Sequence, residues 1–211
     1  MFPFDAEVLA SSYALYNAAV WPAQAVALAL ALAAVWLAAA PRRWSGPAVA
    51  AILAAGWAWC GAVFFLQHFA QLDFMAPIYG GAFLLQALLL LWCMARRRFV
   101  LSGASDAVTA AALVLAFMAV IGLPLVTGLG GFGFASARIV GLAPDPTVLF
   151  TLAMLLRVEG RWRWLLMVLP LSWCALAGAM GWALGVPEAL TVAALGLAAL
   201  LAALWARRPS A

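Results

Sequence analysis

The stretch Ala137-Arg-Ile-Val-Gly-Leu-Ala-Pro-Asp-Pro-Thr-Val-Leu-Phe-Thr-Leu-Ala-Met-Leu-Leu156 decides how this chain is folded. A helix crossing a bilayer needs ~20 mainly apolar residues. The clean apolar part here, Val148 to Leu156, is too short alone. The stretch reaches spanning length only by taking in Arg138 and Pro144-Asp145-Pro146. Counted as a crossing, it gives the chain seven spans rather than six.

Working outward from it, the other apolar blocks are unambiguous. They lie near 19–40, 47–69, 76–95, 107–127, 164–184 and 187–206, beside the disputed 137–156. Charge offers an independent test. With seven spans and the N-terminus outside, the inner loops hold Arg42 and Arg43, Arg96 to Arg98, and Arg157, Arg161 and Arg163. The tail adds Arg207 and Arg208, so ten of eleven arginines lie on the cytoplasmic side and only Arg138 lies outside. Short arginine-rich loops stay cytoplasmic. Deleting the fifth span would throw later arginines onto the outer face, so the charge pattern argues for the crossing that hydropathy leaves open.

The totals agree. Of 211 residues, 69% are hydrophobic and 9% charged, with mean hydropathy +1.12. A soluble domain carries about 25% charged residues. A soluble globule, a disordered chain and a nucleic-acid module are therefore excluded. The expected class is all-α: a polytopic transmembrane helix bundle forming a single domain over 1–211, N-terminus outside and C-terminus cytoplasmic. Its net charge of +4 comes wholly from arginine, with no lysine anywhere. A retinal Schiff base, which needs a lysine amine, is ruled out. His68 is the only histidine, so a haem held between two histidines is ruled out too. Cys60, Cys93 and Cys174 stand singly in apolar blocks and read as small buried hydrophobes. No cofactor and no metal site are expected.

Tryptophan follows the same topology. Trp44, Trp92, Trp162, Trp164 and Trp205 fall at inner ends, and Trp21 and Trp182 at outer ends, as an aromatic belt requires. Trp57, Trp59 and Trp173 fall nearer span centres, where a belt does not explain them. The N-terminus lacks a basic region, so a cleavable signal peptide is not expected. Asp5 is placed to cap a short interfacial helix, which should bend before Pro22 because the proline ring removes a backbone donor.

Candidate chemistry centres on the disputed span. It follows a glycine-rich loop, Gly128-Leu-Gly-Gly-Phe-Gly133. If 137–156 is a crossing, Asp145 lies ~13 Å in from the outer end, near mid-depth. An ionisable group there costs at least ~2.5–3.5 kcal/mol and is a functional candidate by default. Flanking prolines would free backbone groups, as in transporters that build a site on a broken helix. The bland reading stands beside it: an outer turn in which Asp145 caps a helix starting at Pro146. Arg138 either faces Asp145 or lies among the outer headgroups.

Other polar residues point to the outer half of the bundle. Asn17, Trp21 and Gln24 share one helical face, and Trp57, Cys60, Gly61, Phe64 and His68 form a stripe. Gln67, Gln71 and Asp73 adjoin it, and Gln86 lies in mid-span. An outward-opening cavity lined by Asn17, Gln24, His68, Gln86 and Asp145 is one reading. The other is that the amides knit helices together, at ~0.6 kcal/mol each. Glu188 after Pro187 describes an ordinary helix start. Gly178, Gly181 and Gly185 permit close helix approach, and Pro124 and Pro170 should bend their helices. No HExxH, GxSxG or Ser/His/Asp arrangement is present, so no enzyme is expected.

At Tyr16-Asn-Ala-Ala-Val-Trp-Pro-Ala-Gln24, Gly141-Leu-Ala-Pro-Asp-Pro-Thr147 and Gly185-Val-Pro-Glu188, the chain resembles a bacterial integral-membrane family classed as a domain of unknown function, DUF6064. The resemblance runs over nearly the whole chain, with Asn-Ala-Ala-x-Trp-Pro its most distinctive piece. It implies cysteine between the two prolines, where this chain departs with Asp145. It implies a multi-pass protein of the bacterial inner membrane and no established activity. The leading expectation is a protein that binds or translocates a small solute or ion at the broken fifth span, through Asp145, His68, Asn17, Gln24, Gln86 and Arg138. The alternative is a non-catalytic accessory subunit, packed through Ala/Gly-rich faces onto a second copy or a larger membrane complex. The bilayer is the one partner common to both.

Overall fold

The computed structural model describes residues 6–101, 106–129, 133–184 and 187–206. Asp5, part of the glycine-rich loop, Gly185, Arg207, Arg208 and the side chain of Glu188 lie outside the described residues. The described residues form helices joined by turns and irregular links, with one isolated antiparallel bridge among them, Leu101 with Val158. Four helical stretches are long and apolar enough to cross a membrane, or five if the bent first pair is counted as one span.

The first helices are α1 (Ala6–Ala19) and α2 (Ala23–Ala39), which meet at 90°. The bend expected before Pro22 is there. The last carbonyls of a helix lack helical donors, and at this corner the Gln24 amide donates to the Asn17 carbonyl at 2.7 Å. Helix α3 (Ser45–Trp59) runs on as a π-helix, Cys60–His68, and a 3-10 turn, Phe69–Gln71. The wider π winding is rare and gathers at functional sites; here it carries His68. Asp73, in the turn before α4 (Ala76–Ala95), accepts from the Met75 amide at 2.8 Å.

Helix α5 (Asp106–Phe117) passes through a π turn, Met118–Gly122, into α6 (Leu123–Thr127), which has Pro124 in its first turn. After a 3-10 turn, Phe134–Ser136, comes α7 (Pro144–Leu155). The long α8 (Trp162–Leu184) contains Pro170, and α9 (Pro187–Trp205) starts at its proline as expected. Helices α8 and α9 approach closely: a Cβ on Gly178 would lie 2.6 Å from that of Ala193, and one on Gly196 2.6 Å from that of Cys174. Those small residues are used within the chain.

The disputed stretch is not a continuous helix. Only Pro144–Leu155 winds, and 137–143 is irregular. Proline disfavours helix in the residue before it, so Ala143 is extended at φ −108°, ψ 145°. Gly141 takes φ +81°, a left-handed conformation open to glycine at no steric cost. Every residue of α7 is buried. The reading of Asp145 as a surface capping turn is corrected here. The helix starts at Pro144, Ala143 makes no side-chain cap, and Asp145 is only 5% exposed.

The arginine-rich loops meet at one end of the bundle. Leu101 pairs with Val158, and Arg98 lies over the rings of Trp92 and Trp162 at 4.8 and 4.2 Å. Arg157 donates to the Thr109 hydroxyl and, at 3.2 Å, to the Ala38 carbonyl.

Candidate functional site

Breaking a helix leaves amides and carbonyls that need partners, and a lipid tail supplies none. Residues 135–147 find theirs from two directions. From α1, the Asn17 amide donates to the carbonyls of Ala135 and Ala137, each at 2.8 Å. One residue earlier, the Tyr16 hydroxyl donates to the Leu142 carbonyl at 3.0 Å. From within α7, the Thr147 hydroxyl accepts from the Gly141 amide at 2.8 Å and donates to the Ala143 carbonyl at 2.6 Å. Thr151 repeats the second bond one turn on, donating to the Thr147 carbonyl at 2.8 Å.

The mid-span tryptophans that no aromatic belt explains bond to side chains around the break. Trp57 donates its indole N–H to Thr151 Oγ1 at 2.8 Å, and Trp59 donates to the Tyr16 hydroxyl oxygen at 2.8 Å. Trp173 of α8 donates to Asp145 Oδ1 at 2.9 Å. All three thus serve the broken segment or the tyrosine that straps it. A buried indole N–H needs an acceptor, and that need was the available sequence signal. Tyr16, Thr147 and Thr151 carried no comparable one.

Asp145 stands in the first turn of α7, where the helix dipole favours a negative charge. Its second oxygen, Oδ2, accepts from Arg138 Nη1 in an ion pair whose side chains are 12% and 7% exposed. The Arg138 guanidinium also lies 5.0 Å over the Tyr13 ring. Taking two charges out of water is costly, and mutual attraction compensates only when the remaining hydrogen-bonding capacity is also met. The carboxylate takes a second bond from the indole, and the guanidinium gains attraction from its place over a ring face. Around the pair stands an aromatic wall: Tyr13 stacks on Phe64 at 5.2 Å, and Trp173 meets Phe65 and Phe83 edge-on at 5.3 and 5.1 Å.

The expected site residues divide clearly. Arg138 and Asp145 are paired, Asn17 holds the carbonyls of Ala135 and Ala137 just before Arg138, and Gln24 bonds to the Asn17 carbonyl. His68 touches the set at its edge, its ring 4.9 Å from that of Tyr16 and its Nδ1 3.1 Å from the Val63 carbonyl. Gln86 is elsewhere. Its amide donates at 2.9 Å to the Leu166 carbonyl of α8, four residues before Pro170. Proline has no N–H for that carbonyl, so Gln86 replaces the missing donor.

Two cavities flank the site. One of about 440 Å³ is lined by Glu7, Ser11, Ser12, His68 and Gln71. The other, about 330 Å³, opens between α2 and α3 onto the broken segment, with Val26, Leu30, Ile52, Trp59 and Phe150 among its walls. The ion pair itself lines neither.

The Tyr16–Gln24 and Gly141–Thr147 motifs, more than a hundred residues apart, are therefore hydrogen-bonded to each other. No curated protein and no solved structure matches the chain. A family profile does match, over residues 6–211, and on that extent the chain belongs to DUF6064, a family of unknown function.

Proposed function

We propose that the chain is a multi-pass protein of the bacterial inner membrane that binds or translocates a small solute or ion at its broken fifth segment. Seven crossings are assigned to α2, α3 with its continuation, α4, α5 through α6, residues 137–155, α8 and α9. The N-terminus is outside and the arginine-rich end cytoplasmic. The fifth crossing is long enough although only part of it is helical. Twelve helical residues rise ~18 Å, and seven extended ones add at most ~23 Å, against a ~30 Å hydrocarbon core. Asp145 then stands ~15 Å from the cytoplasmic end of α7, at half depth.

One observation carries the reading: a buried acid and a buried base pair across a place where the helix has stopped. A cation reaching Asp145 would replace Arg138 there, and an anion reaching Arg138 would replace Asp145. On this reading Tyr13, which lies under the Arg138 guanidinium, and Tyr16, which packs against His68, would have to move for an ion to reach the pair. Liposomes containing the purified protein test this under an imposed membrane potential, with entrapped dyes reporting protons, potassium and chloride. Arg138→Gln should raise the flux of one ion, and Arg138→Gln with Asp145→Asn should return it to baseline. If wild type and Arg138→Gln both match protein-free liposomes for every ion, the reading fails.

The saturation of Asp145 by Arg138 and Trp173 favours a second reading, an accessory subunit in which the pair only pins the fold. Purification in a mild detergent would then bring down a stoichiometric partner, and Arg138→Gln would carry no current.

A further inference from the structure

The arginine-rich end holds a cavity unrelated to the broken segment. About 600 Å³ in volume, it lies between the loop joining α2 to α3 and the residues after α4. Arg42, Arg43 and Arg97 line it, together with Trp44, Gly46 and Phe99, and among the described residues no carboxylate does. Among the described residues the only ion pair is that of Arg138 with Asp145. Arg42 lies 5.9 Å from the centroid of the Trp36 ring. Glu159 approaches this region through its backbone, its amide donating to the Val100 carbonyl at 2.9 Å, while the residue itself is exposed.

The way the cavity is built is informative. Its floor is the start of α3, where Gly46 lets the Phe99 carbonyl sit in the space a Cβ would occupy. The opposite wall is the end of α4. There the Arg98 amide donates to the Cys93 carbonyl at 2.8 Å and the Arg97 amide to the Met94 carbonyl at 3.0 Å. That pair of bonds is a Schellman cap, whose left-handed position normally holds glycine. Here it holds Arg97, at φ +52°. A side chain in that conformation is costly. Arg96 and Arg98 alone would meet the helix dipole and keep the loop basic. The backbone conformation thus commits a guanidinium to the cavity at the expense of fold stability, a pattern associated with function.

The geometry points to a binding site for a phosphate-bearing anion, held by Arg42, Arg43 and Arg97 at the amino end of α3. Guanidinium forks match phosphate oxygens, and a helix amino terminus favours negative charge. Trp44 and Val100, 48% and 49% exposed, put apolar surface beside the arginines. That mixture suits the headgroup of an anionic phospholipid in the facing leaflet, since basic pockets at this depth recognise such headgroups. This site stands whether or not the fifth segment transports anything.

The test uses the full chain in neutral detergent at physiological salt, where diffuse surface attraction is screened. Retention of short-chain phosphatidylglycerol against phosphatidylcholine is read by native mass spectrometry. Wild type should prefer phosphatidylglycerol, and Arg43→Gln and Arg97→Gly should each weaken that preference about fivefold. Arg97→Gly should also raise the melting temperature without lipid, because glycine relieves the backbone; this separates lost binding from lost fold. Arg161→Gln, equal in charge change but outside the cavity, should bind as wild type does. Equal retention of the two lipids, or an equal loss in Arg161→Gln, would overturn the site. Displacement of the lipid by ~10 mM inorganic phosphate would support the site with the free anion as its ligand, and resistance to displacement would support it with the headgroup.

Discussion

Helices α2 and α7 reverse the usual relation between polarity and depth. Among the seventeen residues of α2 only Ala31, Ala34, Leu37 and Ala38 are buried, and Gln24 is its one polar side chain. All twelve residues of α7 are buried, and they include Asp145, Thr147, Thr151 and two prolines. The more polar helix lies deeper. Lipid tails offer no hydrogen bond, so a helix facing them must be apolar on that side. Inside the bundle, neighbours supply the donors: Arg138 and Trp173 for Asp145, and Trp57 for Thr151. In α7, then, the polar residues of an apolar block mark the side turned towards other helices.

The strongest challenge to that contrast is Asp145→Ala. It leaves the Arg138 guanidinium buried without its carboxylate and should cost about 3–5 kcal/mol, read by thermal unfolding in detergent. Arg138→Met with Asp145→Leu should recover most of the loss. An Asp145→Ala protein as stable as wild type would mean that α7 is not held by its charge. Next come two identical truncations. Leu149→Ala in α7 should cost about 2–5 kcal/mol through the cavity it leaves, whereas Leu32→Ala, 56% exposed on α2, should stay within about 0.5 kcal/mol. Equal costs would mean that α2 is covered by protein rather than lipid.

The smallest effect sharpens the comparison on a third helix. Gln86→Leu removes the donor that serves the Leu166 carbonyl and should cost about 0.6 kcal/mol. In that background Pro170→Ala should restore stability, because alanine returns the helical N–H. Lack of recovery would show that Gln86 acts through some other contact.

Much of the fold was legible in the chain itself. Six of the apolar blocks lie in helices close to the expected bounds, the fifth is helical only over Pro144–Leu155, and the corner at Pro22 bends as the missing N–H requires. The three mid-span tryptophans were visible as an anomaly, but not as donors to one segment. Asn17 and Gln24 were read as possible cavity linings or helix ties, and they prove to satisfy backbone carbonyls at the two breaks. Gln86, grouped with them on grounds of polarity, serves a different helix altogether.

Composition and local pattern alone give an all-helical chain whose apolar blocks are broken by arginines at alternate gaps, with an acid between prolines in the weakest block. Those features follow from local chemistry, namely the length of apolar runs, the lost donor of proline and the left-handed freedom of glycine. Only the tertiary structure decided that Asp145 is buried and paired with Arg138, and that Tyr16 and Asn17 strap a segment more than a hundred residues away. The physical reason is that an unsatisfied polar group states a need without naming its partner. Which donor meets it depends on the packing of helices that hydropathy cannot tell apart.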